Sequence, residues 1–291
     1  MNHHLTRSER IAQILNYMLL ALFAITCVIP FIYVISVSVT PISEVIKRDG
    51  LVLIPAKVTW TAYQEIMKGG RLTDAYQATL FRVGVGTALN LFFTLLTALP
   101  LSRKSLPGRS AFLMFIVFTM LFNGGIIPSY LLVKELGLLD SPWALIIPGL
   151  VNAFYLMIVK SFFEQLPEAI DEAARIDGAG EIAIMFRIVL PLSVPIIATI
   201  SLFYAVWHWN SYFDALLYIN DTSKQPLQLF LRQILLASVA ISGDAAEATN
   251  SVNPISVQMA SVVVTTLPIL VVYPFIQKHF TKGVLLGSVK G

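Results

Sequence analysis

The chain has 291 residues, 56% of them hydrophobic and 13% charged, with a formal net charge of +3. Ordinary soluble domains carry roughly 25% charged residues, so this apolar surplus is more than one soluble core can hide and points to a membrane protein. The net charge is too small to argue for a nucleic-acid partner, and a single cysteine, Cys27, excludes an internal disulfide and a multi-cysteine metal site.

Arg7 and Arg10 precede an uncharged stretch at 11–43, whose 33 residues exceed the run of about 7–15 in a cleaved signal peptide. The sequence therefore predicts a retained first span. Further charge-free windows follow at 83–102, 110–133, 141–159, 188–213 and 248–277. Such windows mark spans because a Lys, Arg or Asp at the centre of a membrane helix costs about 2.5–3.5 kcal/mol. The shortest has 19 residues, enough at 1.5 Å per residue to cover roughly the 30 Å hydrocarbon core. The expected fold is an all-α membrane protein of six transmembrane helices, with both termini on one side. Each window contains proline, which in membrane helices marks kinks or ends.

The side is set by short loops. The turn 103–109 carries Arg103, Lys104 and Arg109, and the C-terminal tail carries Lys278, Lys282 and Lys290. These place both termini in the cytoplasm. The whole tally is closer, with eleven Lys/Arg on that side and nine on the other, Lys47 and Arg48 among them. Six of the nine lie in the long loop 44–82, and long loops follow the positive-inside rule poorly.

Between the fourth and fifth spans lies the densest charged segment, "SFFEQLPEAIDEAARIDGAGEIAIMFR" at 161–187, with six acids and two bases. Pro167 suits the first turn of a helix, and Glu168, Asp171 and Glu172 favour its positive N-terminal end. Asp171 and Arg175 have the spacing of an i,i+4 ion pair. Ile170, Ala173 and Ile176 form a narrow apolar stripe, and Gly178 falls where a left-handed cap would stop the helix. A second short helix near 181–189 leads into "LPLSVP". Two short amphipathic helices with a glycine bend can be a solvated loop capping its own bundle. They can also be a knob that enters a partner's cleft, which the small Ala173–Ala174 pair favours.

Glu172-Ala173-Ala174, three residues, Gly178, nine residues, Ile188, one residue, then Leu190-Pro191 resembles the signature of the integral-membrane subunits of binding-protein-dependent ABC importers. The likeness is to the branch serving maltose and other oligosaccharides, and it extends over nearly the whole chain. "LIPAKVTWTAYQEI" looks like that family's first external loop, "FNGGIIPSYLLVKELGLLDSPWALIIPGL" like its middle and "FIQKHFTKGVLLGSVKG" like its end. The resemblance implies three parts: 1–74 with the cytoplasmic N-terminus, first transmembrane helix and external loop; a permease core at 75–282; and a cytoplasmic tail at 283–291. It implies that 161–187 carries a coupling helix docking on a separate ATP-hydrolysing subunit, through Glu172, Ala173, Ala174, Arg175, Asp177 and Gly178. The expected partners are a homologous sister permease, an ATPase dimer holding ATP and Mg, an external solute-binding protein and the lipid bilayer of a bacterial inner membrane. The tail from Lys282 to Gly291 is a further candidate contact with the ATPase.

The fifth span ends in "YAVWHWNSYFDALLYI". Trp207, Trp209, Tyr212 and Phe213 suit stacking on sugar faces, and His208, Asn210 and Asp214 suit bonding to hydroxyls. The competing reading is an interfacial aromatic belt, and a Trp-Asn step here looks common in the family the chain resembles, which fits packing or gating. The middle and fifth-span segments look most like those of importers of plant- or algal-type saccharides, including uronic-acid polymers.

What is missing narrows the field. No G-x-x-x-x-G-K-[ST] loop occurs in the chain, and "GAGEIA" follows a helix rather than a strand, so no ATPase or other enzyme activity is expected of the chain itself. An ion-coupled secondary carrier is the alternative; such proteins usually keep ionisable groups at the midplane, whereas the windows hold no Asp, Glu, Lys or Arg. An ABC permease for a non-sugar solute is the other. His3, His4, His208 and His279 show no metal-ligand spacing, so no metal or cofactor is expected.

Overall fold

The structure is a computed structural model that describes the backbone of residues 7–241 and 254–288, and the side chains of 8–237, except 168, 170 and 171, and of 254–271. Every regular element among the described residues is helical. The chain divides into two compact units, one of Met1–Gly69 with Leu231–Leu267 and one of Gly70–Phe230 with Pro268–Gly291.

The first unit opens with α1 (Arg7–Ser38), which runs through Pro30 and buries none of its most apolar stretch. Its C-terminal carbonyls are answered by side chains: Thr40 Oγ1 donates to Ser36 O at 2.6 Å, and Ser38 Oγ donates to Ile35 O at 2.7 Å. Two short helices follow, α2 (Ile42–Lys47) and α3 (Thr61–Met67). Val37, Val45 and Val52 form a small core with Tyr33 and Met259. The loop between α2 and α3 is held by Glu44, whose carboxylate accepts from the backbone N–H of Ala56 and Lys57 at 2.8 and 3.2 Å. Those two N–H bonds, led by Ala56, and the nearby Arg48 hold its pKa below the usual range.

The second unit is built on α4 (Arg71–Ser102). After it come α5 (Arg109–Leu121), α6 (Ile126–Glu135), the 3₁₀ turns Pro142–Leu145 and Ile147–Gly149, and α7 (Ala153–Phe163). The charged segment forms α8 (Glu168–Ile176) and α9 (Glu181–Ile184), then a π turn at Met185–Val189 and a single turn, α10 (Leu190–Leu192). α11 (Val194–Asn210) and α12 (Phe213–Tyr218) follow. The chain continues in α13 (Leu227–Ile241) and α14 (Pro254–Ser288).

Leu95, Ala98, Leu99, Leu156, Val159, Ile200 and Tyr204, from α4, α7 and α11, fill one core. The hydroxyls of Thr94 and Tyr204, buried inside it, are paired, as burial favours. Tyr204 Oη shares a 2.8 Å hydrogen bond with Thr94 and accepts from Asn152 N at 3.1 Å. Asn152 in turn caps α7, its Oδ1 accepting from Phe154 N and Tyr155 N.

Among the described residues three helices are long and apolar enough to cross a membrane, Ser8–Ser38, Arg71–Ser102 and Pro254–Val271. The other three expected spans pass that test only as bent pairs: Arg109–Leu121 with Ile126–Glu135 at 115°, Pro142–Gly149 with Ala153–Phe163 at 49°, and Glu181–Leu192 with Val194–Asn210 at 84°. Local chemistry explains each break. Gly125 has a φ of +87° and its N–H bonds Asn123 Oδ1 at 2.8 Å, which ends one helix before the next starts. Pro142 and Pro148 stand at the start of 3₁₀ turns. Pro191 and Pro195 flank the turn at Ser193. The second expected span also differs, since α4 begins at Arg71, well before residue 83.

α4 and α11 approach closely at Gly86. A Cβ placed there would stand 2.5 Å from His208 Nε2. Gly86→Ala is therefore expected to destabilise the chain by about 1–3 kcal/mol, although alanine is the better helix former. A thermal melt of the purified protein in detergent checks this, and an unchanged or raised Tm would contradict it.

Candidate functional site

Two places gather the residues that the sequence singles out, both in the second unit. The first is α8 and the bend after it. α8 ends in a Schellman arrangement: Ala179 N–H bonds Ala174 O at 2.9 Å and Gly178 N–H bonds Arg175 O at 3.0 Å. Gly178 sits at φ +82°, the left-handed conformation that favours glycine. Ala174, at 8% exposure, belongs to the core shared with α4, α7 and α11, and Ala179 packs against that core. So the alanine pair is split. Ala174 seats the helix on its own bundle, while Ala173, Glu172 and Asp177 face outward. Around them Ile176 and Ile182 are 85% and 76% exposed, and Phe186 is open as well. The result is a protruding surface of apolar groups edged by carboxylates. Arg175 pairs with Glu181 across the bend and fixes α8 against α9. The expected Asp171–Arg175 pair and the stripe position Ile170 involve side chains outside the described residues.

The second place is a buried polar cluster that joins α4, the α7 entry, α11 and α12. Arg82 of α4 is 1% exposed. Its Nε donates to His208 Nδ1 at 3.3 Å, one terminal nitrogen donates to Ser211 O and Asp214 Oδ1 at 3.3 and 3.2 Å, and the other pairs with Asp214 Oδ2. His208 Nε2 meets Asn90 Oδ1 at 2.7 Å. Asn90 then donates through Nδ2 to Gly149 O and Leu150 O at 2.6 and 3.0 Å. Every ring nitrogen and amide atom is used, consistent with a neutral histidine protonated on Nε2. Trp207 lies with its ring centroid 5.8 Å from the Arg82 guanidinium carbon and against Gly149, where a Cβ would stand 2.9 Å from the indole.

The six residues proposed from the sequence for a solute path thus fall into different settings. His208 and Asp214 are engaged with Arg82 and Asn90. Trp209 is buried and its indole N–H has no hydrogen-bond partner among the described residues. Asn210 is exposed and bonds back to Val206 O at 2.9 Å. Trp207 and Tyr212 are partly exposed, and Tyr212 meets Phe213 edge to face. Arg82 and Asn90, which complete the cluster, escape a search for uncharged windows. The available signal is that Arg82 immediately precedes one window and Asp214 immediately follows another.

A loop clasp holds α12 at its far end. Asp140 Oδ1 accepts from Asn220 N and Asp221 N at 3.0 and 2.9 Å, and Lys224 Nζ donates to Asp140 O at 3.0 Å. These N–H bonds, Asp221 first, hold the Asp140 pKa below the usual carboxylate range.

Residues 75–286 match the family described as binding-protein-dependent transport system inner membrane component. The chain is 48% identical over 285 residues to the polygalacturonan/rhamnogalacturonan transport system permease protein YtcP of Bacillus subtilis (strain 168), covering 97% of this chain and 99% of that one. It is 45% identical over 291 residues to the protein LplC of the same organism, covering 99% and 98%. Its fold matches a chain from the crystal structure of a bacterial ABC transporter involved in the import of the acidic polysaccharide alginate. That match has a TM-score of 0.86 and 33% identity, and covers 95% of this chain and 99% of the other.

Proposed function

The chain belongs to the family of binding-protein-dependent transport system inner membrane components and is the permease of a saccharide ABC importer, and from that premise we propose that its cargo is an acidic, uronic-acid-rich oligo- or polysaccharide. The observation that carries this is the likeness over nearly the full chain to a permease named for polygalacturonan and rhamnogalacturonan and to a chain of a transporter described as importing alginate. Family membership also sets the secondary carrier aside. Charge-free windows do not make the bundle free of charge, since Arg82 and Asp214 lie paired within it.

In this reading the three straight helices and three bent pairs are six spans, with both termini in the cytoplasm. Residues 1–74 hold the first span and external loop, 75–282 the permease core and 283–291 the tail. α8 is the coupling helix. Glu172, Ala173, Asp177 and the neighbouring Ile176 meet a cleft on the ATPase subunit, Gly178 permits the bend, and Ala174 and Arg175 fix the helix to its own chain. The open apolar groups around Glu172 support this, since a lone cytoplasmic loop gains nothing by exposing them. ATP and Mg are bound by the partner ATPase dimer, and a sister permease and an external solute-binding protein complete the importer. Trp207, Tyr212, Phe213 and Asn210 are the candidates for solute contact, whereas Trp209, His208 and Asp214 serve the shape of the path.

Affinity purification of the tagged chain from its own host in mild detergent tests the assembly. An ATPase and a second permease are expected in the eluate, and ATPase activity in the reconstituted complex is expected to rise with loaded binding protein carrying oligogalacturonate more than with neutral maltooligosaccharide. A chain that purifies alone would sink the partner assignment. Equal stimulation by the neutral sugar would sink the acidic cargo.

A further inference from the structure

The buried guanidinium of Arg82 is held from behind and met from the front. Its Nε donates to His208 Nδ1, and one terminal nitrogen also donates to Ser211 O. His208 is itself fixed by Asn90. Those contacts leave the end of the fork, with both terminal nitrogens, to the carboxylate of Asp214. The two sides differ in openness. His208 and Asn90 are fully buried, whereas the Asp214 side chain is 27% exposed. Trp207 over the guanidinium and Phe213 beside Asp214 in the chain are open to the surface as well.

A buried ion pair is weak evidence for stability, because the cost of taking two charges out of water can match their attraction. An ionisable group inside a membrane bundle marks a functional site by default. The depth of this one fits such a role. α4 ends at Ser102, so at 1.5 Å per residue Arg82 stands about 30 Å from that end, roughly the full hydrocarbon thickness. In the topology proposed above this is the external mouth, where the cargo enters.

We propose that Arg82 receives the cargo's carboxylate at that mouth, and that Asp214 is a stand-in which an incoming uronate displaces. The inference rests on the acidic cargo proposed above. A uronate carboxylate has the planar two-oxygen geometry that a guanidinium fork takes. Exchange of one carboxylate for another leaves the buried guanidinium paired. The displaced Asp214 is already part-exposed to water, and its Oδ1 keeps the Ala215 N–H, bonded at 2.9 Å. A neutral sugar has no charge to offer, so it leaves the Arg82–Asp214 pair shut. The pair thereby selects for charge at entry, separately from any choice made by a binding protein.

The first test is rescue. Asp214→Asn removes the charge of the stand-in. The purified full-length variant is expected to gain roughly 3 °C or more in Tm from an excess of galacturonate, and nothing from galactose at matched ionic strength. The double variant Arg82→Met with Asp214→Leu has no guanidinium and should gain from neither. A rise with both sugars or with neither, or an equal rise in the double variant, would overturn the proposal. The second test does not depend on how stable Asp214→Asn is. Arg82→Lys keeps the charge and a cation beside Asp214 but loses the fork. In the reconstituted complex, ATPase stimulation by binding protein saturated with oligogalacturonate is compared with stimulation by its uncharged methyl ester. The wild-type complex should favour the acid, and Arg82→Lys should shrink that preference about tenfold. A wild-type preference that Arg82→Lys leaves intact would remove Arg82 from recognition while the acidic cargo stands. No preference in the wild-type complex would remove the acidic cargo, and this inference with it.

Discussion

Gly178→Asp is expected to lower saccharide uptake about ten- to thirtyfold while leaving the chain in the membrane. Gly178 holds φ +82° in the Schellman bend after α8. A Cβ there would meet nothing within 4 Å, so the penalty is not a clash. It is the left-handed backbone, which costs an L-residue about 1–2 kcal/mol, with aspartate and asparagine at the low end because their short polar side chains can bond locally. A carboxylate at the negative end of α8 adds about 0.3–1 kcal/mol against the helix dipole. Together these make the seated bend roughly ten- to thirtyfold rarer, at about 1.4 kcal/mol per decade. Gly178→Asn is the control for charge, because asparagine tolerates the left-handed conformation as aspartate does and brings no carboxylate. It should keep more of the uptake than Gly178→Asp. Uptake in cells, normalised to the amount of chain in isolated membranes, reads both. Normal uptake by Gly178→Asp would remove the bend from the coupling role.

That bend was legible because it depends on local chemistry. Gly178 in a helix-stop position reads directly from sequence, and the structure puts it in the left-handed region. The same holds for Pro167 before α8 and for the short helix from Glu181. What local reading missed depends on partners far along the chain. Arg82 and Asp214 are 132 residues apart, and each lies just outside a charge-free window, so each looked like the end of a span. Only their pairing lets Arg82 sit within α4 at 1% exposure. The alanine pair shows the limit at its smallest scale. Ala173 and Ala174 are chemically identical, and nothing in the motif says which one faces inward. Rotation of α8 about its axis decides it, and that rotation is set by the core formed with α4, α7 and α11. The bends within three of the windows were not legible for a related reason. Hydropathy reports how apolar a segment is, not whether its backbone can stay straight through Asn123-Gly124-Gly125 or past Pro191 and Pro195.

Arg82→Met is expected to be the most destabilising single change in the second unit, at about 3–5 kcal/mol. The methionine fills much of the arginine stem's space but leaves Asp214 without its cation and His208 Nδ1 and Ser211 O without their donor. Asp214→Asn should cost a similar amount for the opposite reason, because it strands a guanidinium that cannot deprotonate inside the bundle. The pair of substitutions together, Arg82→Met with Asp214→Leu, should recover most of the loss, since a buried ion pair can often be replaced by apolar residues at little cost. Melting of the purified chain in detergent reads stability, and uptake read beside it separates two roles. If the cluster only fixes α4 to α11 and α12, the double variant regains both Tm and uptake. If Asp214 and Arg82 also answer an acidic cargo, it regains Tm and stays inactive. A Tm unchanged by Arg82→Met would show that the cluster holds nothing together.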